Sequence, residues 1–130
     1  GKGGIGKSTV SANVSAALAR RGLRLLHVGC DPKHDSTMPF VAPEELRTVI
    51  DALVHQASRP VTREEIVMAG RLGIDCIESG GPEPGVGCGG RGVSRMFELL
   101  EELTILSPAQ YDVAVFDVLG DVVCGGFAMP

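Results

Sequence analysis

An α/β fold, a mostly parallel sheet flanked by helices, is predicted by three observations. Apolar runs of strand length alternate with amphipathic runs of helical period along the whole chain. A glycine loop, GKGGIGKS, opens directly into the first helical segment. The other unusual loops, CDPKHDST, the glycine run around Cys88 and VLGDVVCGGFAMP, each follow a strand-like run. In a parallel sheet such loops leave from the carboxyl ends of the strands, where ligands bind.

Each element has its own signal. Residues 7–20 predict a helix with Val10, Val14, Ala17 and Leu18 inward and Gly22 as its stop. LRLLHVG (23–29) reads as a buried strand. PEELRTVIDALVHQ (43–56) predicts one amphipathic helix with Leu46, Val49, Ile50 and Leu53 inward. TREEIVMAG (62–70) predicts a helix opened by a Thr-x-x-Glu capping box and stopped at Gly70. GIDCIES (73–79) is a strand. Residues 93–106 predict a helix with Val93, Met96, Phe97, Leu100 and Leu103 inward, and YDVAVFD (111–117) a further buried strand. There is no internal repeat and no linker.

Length and composition bound the function. The 130 residues suffice for one domain, and 44% hydrophobic with 22% charged residues is a globular balance. A net charge of −4 argues against a nucleic-acid or anionic-membrane partner. No apolar run approaches the roughly 20 residues of a membrane span. Four cysteines are too sparse for a disulfide scaffold, which favours a reducing cytoplasm. A phosphate loop normally follows a strand, and here it begins at residue 1. The expectation is a single partial domain over 1–130, lacking its first strand and its C-terminal half.

The strongest motif is Gly1-x-x-x-x-Gly6-Lys7-Ser8, the Walker A pattern. The fold class is therefore a P-loop NTPase. Backbone amides of Gly1, Lys2, Gly3, Gly4, Ile5, Gly6 and Thr9 are expected around the phosphates of MgATP. Lys7 neutralises the β- and γ-phosphates, and Ser8 gives its hydroxyl to Mg²⁺. A second lysine in the loop, Lys2, resembles the deviant Walker A of dimeric P-loop ATPases. That resemblance implies that Lys2 reaches the nucleotide of the other subunit. Asp117 ends the run VAVF as a Walker B carboxylate facing Mg²⁺. After the first complete strand, Asp35 orients or deprotonates the attacking water, while Asp31 serves that same role or binds Mg²⁺. Lys33 lies between them, His34 reads as a solvated loop residue, and His27 as a hydrogen-bonded structural histidine.

The cysteines divide into two kinds. Cys30 and Cys76 lie in or beside apolar strands and read as small buried hydrophobes. Cys88 and Cys124 are each followed by Gly-Gly in a loop at the ligand edge. A [4Fe–4S] cluster needs four thiolates, which a two-fold dimer supplies from two such residues. Bare glycine backbone lets N–H groups approach the cluster sulfurs. Zinc competes for such ligands, but usually through close C-x2–4-C pairs, and the sequence has none.

Four stretches in order, GKGGIGKST, GCDPKHDST, ESGGPEPGVGCGGRGV and DVLGDVVCGGFAMP, resemble the nitrogenase iron protein (dinitrogenase reductase) family and its relatives. The resemblance covers essentially the whole sequence, somewhat under half of a complete family chain. It implies an ATP-dependent oxidoreductase of nitrogen fixation, acting as a homodimer with one subunit-bridging [4Fe–4S] cluster. Such a dimer passes single electrons from ferredoxin or flavodoxin to a larger molybdenum–iron-type component. It further implies Cys88 and Cys124 as cluster ligands, and Lys2, Lys7, Ser8, Asp31 and Asp121 at nucleotide-linked positions. Arg91 resembles the docking-face arginine that some members carry ADP-ribosylated. DPKHD with His34 is at home in related reductases, among them the L subunit of light-independent protochlorophyllide reductase. That subunit usually lacks the arginine seen at Arg91. Reductases acting on nickel tetrapyrroles or organic sulfur compounds stay open. A positioning or partitioning ATPase of the deviant Walker group needs neither Cys88 nor Cys124. A scaffold that assembles clusters would pass its cluster on.

Overall fold

The computed structural model describes residues 6–31, 33, 35–56, 58–81 and 90–118, with side chains from Gly92 onward in the last span. Four strands, β1 (Leu25–Gly29), β2 (Met68–Ala69), β3 (Asp75–Glu78) and β4 (Val113–Asp117), form one mixed sheet in the order β2-β3-β1-β4. β1 runs parallel to both β3 and β4, and β2 is antiparallel to β3. The loops after β1, β3 and β4 therefore leave from one edge, as their sequence positions predict.

Helix α1 (Lys7–Arg20) covers one face of the sheet; α2 (Val49–His55), α3 (Arg63–Ile66) and α4 (Gly90–Glu102) cover the other. Alternation along β1 feeds both layers. Leu26, Val28 and Cys30 join Ile77, Met96, Leu99 and Leu100, while Leu25 joins Ala12, Met68 and Cys76. Gly22 ends α1 with φ +86°, donating its N–H to the Ala19 carbonyl, and Leu23 N–H returns to Leu18 O at 3.3 Å.

The inward face of α1 matches the predicted one at Leu18, which packs on the sheet, and differs from it elsewhere. Val10 and Val14 are 62% and 44% exposed and Ala17 is exposed, whereas Ala12 and Ser15 are buried. Two polar contacts orient the helix: Lys7 Nζ donates to Val118 O at 3.3 Å, and Ser15 bonds His27 at 2.7 Å. These turn the alanine stripe, Ala12, Ala16 and Ala19, toward the strands. The valines gave the stronger periodic signal but not the packed face.

The segment 43–56 is two elements. A short 3-10 turn at Pro43–Glu45 is separated from α2 by extended backbone at Leu46 and Thr48. Thr48 starts a new helix by accepting Asp51 N–H at 3.1 Å, while the Asp51 carboxylate accepts Thr48 N–H at 3.2 Å. Replacing Thr48 by alanine should cost about 1 kcal/mol, and Thr48→Ser should recover most of it in a denaturant titration. The predicted capping box at Thr62 forms in part, Glu65 accepting Thr62 N–H at 2.8 Å. Its helix stops at Ile66 rather than Gly70, because Val67 turns extended and Met68 and Ala69 pair with Cys76 and Asp75. α4 presents Val93, Met96 and Leu100 inward as predicted, with Phe97 and Leu103 packed beside them. β4 differs from a buried strand. It lies at the sheet edge among the described residues, and Val113–Phe116 are only half-buried.

Candidate nucleotide and cluster edge

The site is built at the carboxyl ends of β1, β3 and β4, on the α1 side of the sheet. Gly6 leads into α1, whose first residue, Lys7, is held against the tip of β4 by its bond to the Val118 carbonyl. Register pairs Gly29 with both Glu78 and Asp117, so the three strand tips end level. Cys30 N–H donates to Asp117 O at 2.9 Å and Ser79 N–H to Gly29 O at 2.9 Å, continuing the ladder past the strands.

Asp117 is 6% exposed. Its Oδ2 accepts the Ser36 hydroxyl at 2.6 Å, and the Ser36 Oγ lies 2.9 Å from His27 Nε2. His27 Nδ1 lies 2.7 Å from Ser15 Oγ on α1. His27 is fully buried, and burial pushes its pKa down despite the nearby Asp117 charge. It is therefore hydrogen-bonded, as its place in the strand suggests, yet its partners lead directly to Asp117, the carboxylate expected to face Mg²⁺.

Sequence reasoning passed over Ser36 and Glu78. Glu78 is buried, accepts Thr37 N–H at 2.7 Å through Oε1, and lies against Gly29 so closely that a Cβ there would sit 2.2 Å from Oε2. A carboxylate at the end of an otherwise apolar strand was the available signal. Together Ser36 and Thr37 dock the loop after β1 onto the tips of β4 and β3. In that loop Asp31 is half-buried and accepts Lys33 N–H at 2.9 Å, while Lys33 and Asp35 are exposed. Lys7, Asp31, Asp35 and Asp117 thus share one edge. A single carboxylate with one oxygen committed to Ser36, a P-loop lysine and a serine at the start of α1 make a donor set suited to Mg²⁺ and phosphate.

Cys30 and Cys76 are fully buried, and their thiols are pushed up to about 12, chiefly by burial. They remain protonated, Cys76 donating weakly to Ile74 O at 3.7 Å. Neither fits a thiolate ligand. Gly1, Lys2, Gly3, Gly4, Ile5, His34, Cys88, Asp121, Cys124 and the Arg91 side chain lie outside the described residues. The roots of both cysteine loops are described. The loop carrying Cys88 starts at Gly80 and Gly81 and ends in α4, and its two ends meet: a Cβ on Gly92 would lie 2.8 Å from Gly80 O. Gly80 itself takes φ +70° against Thr48. The segment carrying Cys124 starts at Val118, whose carbonyl receives Lys7.

The model of the 4Fe-4S iron sulfur cluster binding proteins, NifH/frxC family, matches residues 1–130. The chain is 53% identical over 130 residues to the nitrogenase iron protein of Methanospirillum hungatei, covering all of this chain and 45% of that protein. It is 54% identical over 132 residues to the light-independent protochlorophyllide reductase iron-sulfur ATP-binding protein of Pelodictyon phaeoclathratiforme, covering 47% of it. The chain spans about half the length of the curated relatives it matches. Among solved structures it resembles MinD from Aquifex aeolicus, with TM-score 0.55, 21% identity, and 90% and 43% of the two chains covered. It also resembles cobyrinic acid a,c-diamide synthase from Mycobacterium smegmatis, with TM-score 0.57, 22% identity, and 89% and 47% covered. These two likenesses establish the P-loop fold.

Proposed function

Because the chain belongs to the NifH/frxC family of 4Fe-4S iron-sulfur cluster binding proteins, we propose that it is the ATP-dependent electron donor of a nitrogenase-type reductase. It works as a homodimer and passes single electrons to a larger catalytic component. One observation carries this reading: Lys7 of the phosphate loop bonds the carbonyl of Val118, the residue from which the Cys124 segment departs. On this reading the phosphate loop and the segment that leads to Cys124 are linked at Val118.

Cys88 and Cys124 of each subunit hold the cluster, which supplies a one-electron couple when bound. Lys7 neutralises the phosphates, Ser8 and Asp117 face Mg²⁺, and the backbone of residues 1–6 and Thr9 wraps the phosphate oxygens. Asp31 and Asp35 position the attacking water, and Lys2 reaches the partner subunit's nucleotide. Asp121, between Asp117 and Cys124, passes the state of the nucleotide along the segment. Arg91, which resembles the docking-face arginine of the family, is the proposed ADP-ribosylation site. The acceptor has two readings. The nitrogen-fixation reading, with a molybdenum–iron-type component, is favoured by Arg91. A tetrapyrrole-reductase reading is favoured by His34 in DPKHDST. The relatives support both equally, at 53% and 54% identity. Assaying electron delivery to each kind of large component decides between them.

The coupling has its own test. A change in contacts at Asp117 moves the segment that carries Cys124, and solvent and hydrogen bonds at that sulfur set the potential. Nucleotide should lower the cluster potential in a redox titration of the full-length dimer, where about 59 mV is tenfold in equilibrium for one electron. Asp121→Glu should blunt this shift while MgATP still binds. An unchanged potential with nucleotide in the wild type refutes the coupling.

A further inference from the structure

The hydrogen bonds on the α1 face have only one neutral arrangement of protons. Asp117 Oδ2 is an acceptor, so the single proton of Ser36 points at it across 2.6 Å. At the other contact of Ser36, 2.9 Å away, His27 Nε2 must then be the donor. A neutral ring with its proton on Nε2 accepts at Nδ1, and the Ser15 hydroxyl donates there across 2.7 Å. Burial of His27 favours the neutral ring. All three protons therefore point the same way, from α1 through β1 and the following loop to the tip of β4.

Direction matters because a serine hydroxyl is a free rotor. With His27 offering it an N–H rather than an acceptor, the Ser36 hydroxyl is left one productive orientation, toward Asp117. The ring that enforces this is itself fixed. It is fully buried and meets Phe40 edge-on, with centroids 5.3 Å apart at 64°. A histidine kept only for packing would need an acceptor or donor at each nitrogen. It would not need to share its hydroxyl partner with the Walker B carboxylate.

We propose that His27 is a positioning residue of the nucleotide site: acting through Ser36, it commits Oδ2 of Asp117 to the protein and so presents Oδ1 to the magnesium ion of MgATP. This rests on the reading of this edge as an MgATP site. His27 touches neither metal nor phosphate. Its effect is confined to the part of nucleotide affinity that Mg²⁺ adds, because Asp117 meets the nucleotide only through the ion.

The test compares ATP binding with Mg²⁺ and with Mg²⁺ removed by EDTA, by equilibrium titration of the full-length protein. The wild type should bind more tightly with Mg²⁺. His27→Leu and Ser36→Ala should lose about tenfold of that gain, with EDTA affinities within about twofold of wild type. His27→Gln, whose amide N–H still reaches toward Ser36, should recover most of the gain. Equal losses with and without Mg²⁺ would mean a purely structural histidine and overturn the proposal. So would a full Mg²⁺ gain in folded His27→Leu, or a glutamine variant no better than leucine. If His27→Leu fails to fold, Ser36→Ala decides: an intact gain overturns the proposal and a lost gain supports it. A wild type that binds no ATP overturns the nucleotide reading, and the proposal with it, a result distinct from all the others.

Discussion

Serine in place of Cys88 or Cys124 in the full-length protein is expected to abolish the cluster, taking iron from about four atoms per dimer to near zero. Alanine in place of Cys30 or Cys76 should leave the iron in place and cost only packing, about 1–2 kcal/mol. The contrast follows from the environment of each thiol. A ligand must be a thiolate, and burial holds Cys30 and Cys76 as thiols, each pushed up to about 12. Their atoms belong to the two hydrophobic layers, one on each face of the sheet. Cys88 and Cys124 are each followed by Gly-Gly, in segments whose described starts, Gly80–Gly81 and Val118, lie at the edge shared by Lys7 and Asp117. Iron analysis together with the visible absorption of anaerobically purified protein measures the effect. A Cys88→Ser dimer with full iron content would refute the ligand assignment.

Gly80→Ala should destabilise the protein by about 2–4 kcal/mol. Two penalties coincide there. The backbone takes φ +70°, which a residue with a Cβ adopts at a cost. The new methyl would lie 2.6 Å from Thr48 Oγ1 and 2.7 Å from its Cβ, a short, buried side chain that caps α2. Gly92→Ala meets backbone instead, the Gly80 carbonyl oxygen at 2.8 Å, and should cost about 1–3 kcal/mol. Both changes pry apart the base of the loop that carries Cys88. Loss of stability in urea should therefore be accompanied by faster removal of iron by a chelator. Wild-type stability and wild-type chelation in Gly80→Ala would show that the base of the loop is not clamped.

Much of this was legible before the structure. Alternating strands and helices, the stop at Gly22, the capping residue Thr62 and the inward stripe of α4 follow from short-range chemistry that sequence displays directly. The misreadings share a cause, namely partners distant in sequence. Val10 and Val14 have the spacing of a buried stripe, but contacts from Lys7 to Val118 and from Ser15 to His27 set the rotation of α1. Met68 and Ala69 continue a helical pattern, but pairing with β3 draws them into the sheet. Asp117 was recognisable from its strand. Ser36, whose hydroxyl holds it, lies 81 residues away and was hidden within a loop read for its aspartates.

The two faces of the sheet differ in how much change they can absorb. Toward α2, α3 and α4 the buried layer is built from Leu, Ile, Val and Met together with Cys30, and swaps among its aliphatic residues that conserve volume usually cost less than about 1.5 kcal/mol. Toward α1, the carboxyl end of the layer holds Ser15, His27, Ser36, Glu78 and Asp117, each with a defined partner. Replacing one of these strands its partner without water, a penalty of about 1–3 kcal/mol that no change of volume repairs. Sequence drift is thus free to reshape one side of a strand while the other side of the same strand is held. In β1, Leu26 and Val28 can trade places with other aliphatic residues, whereas a replacement for His27 between them must still offer hydrogen-bonding groups to Ser15 and Ser36.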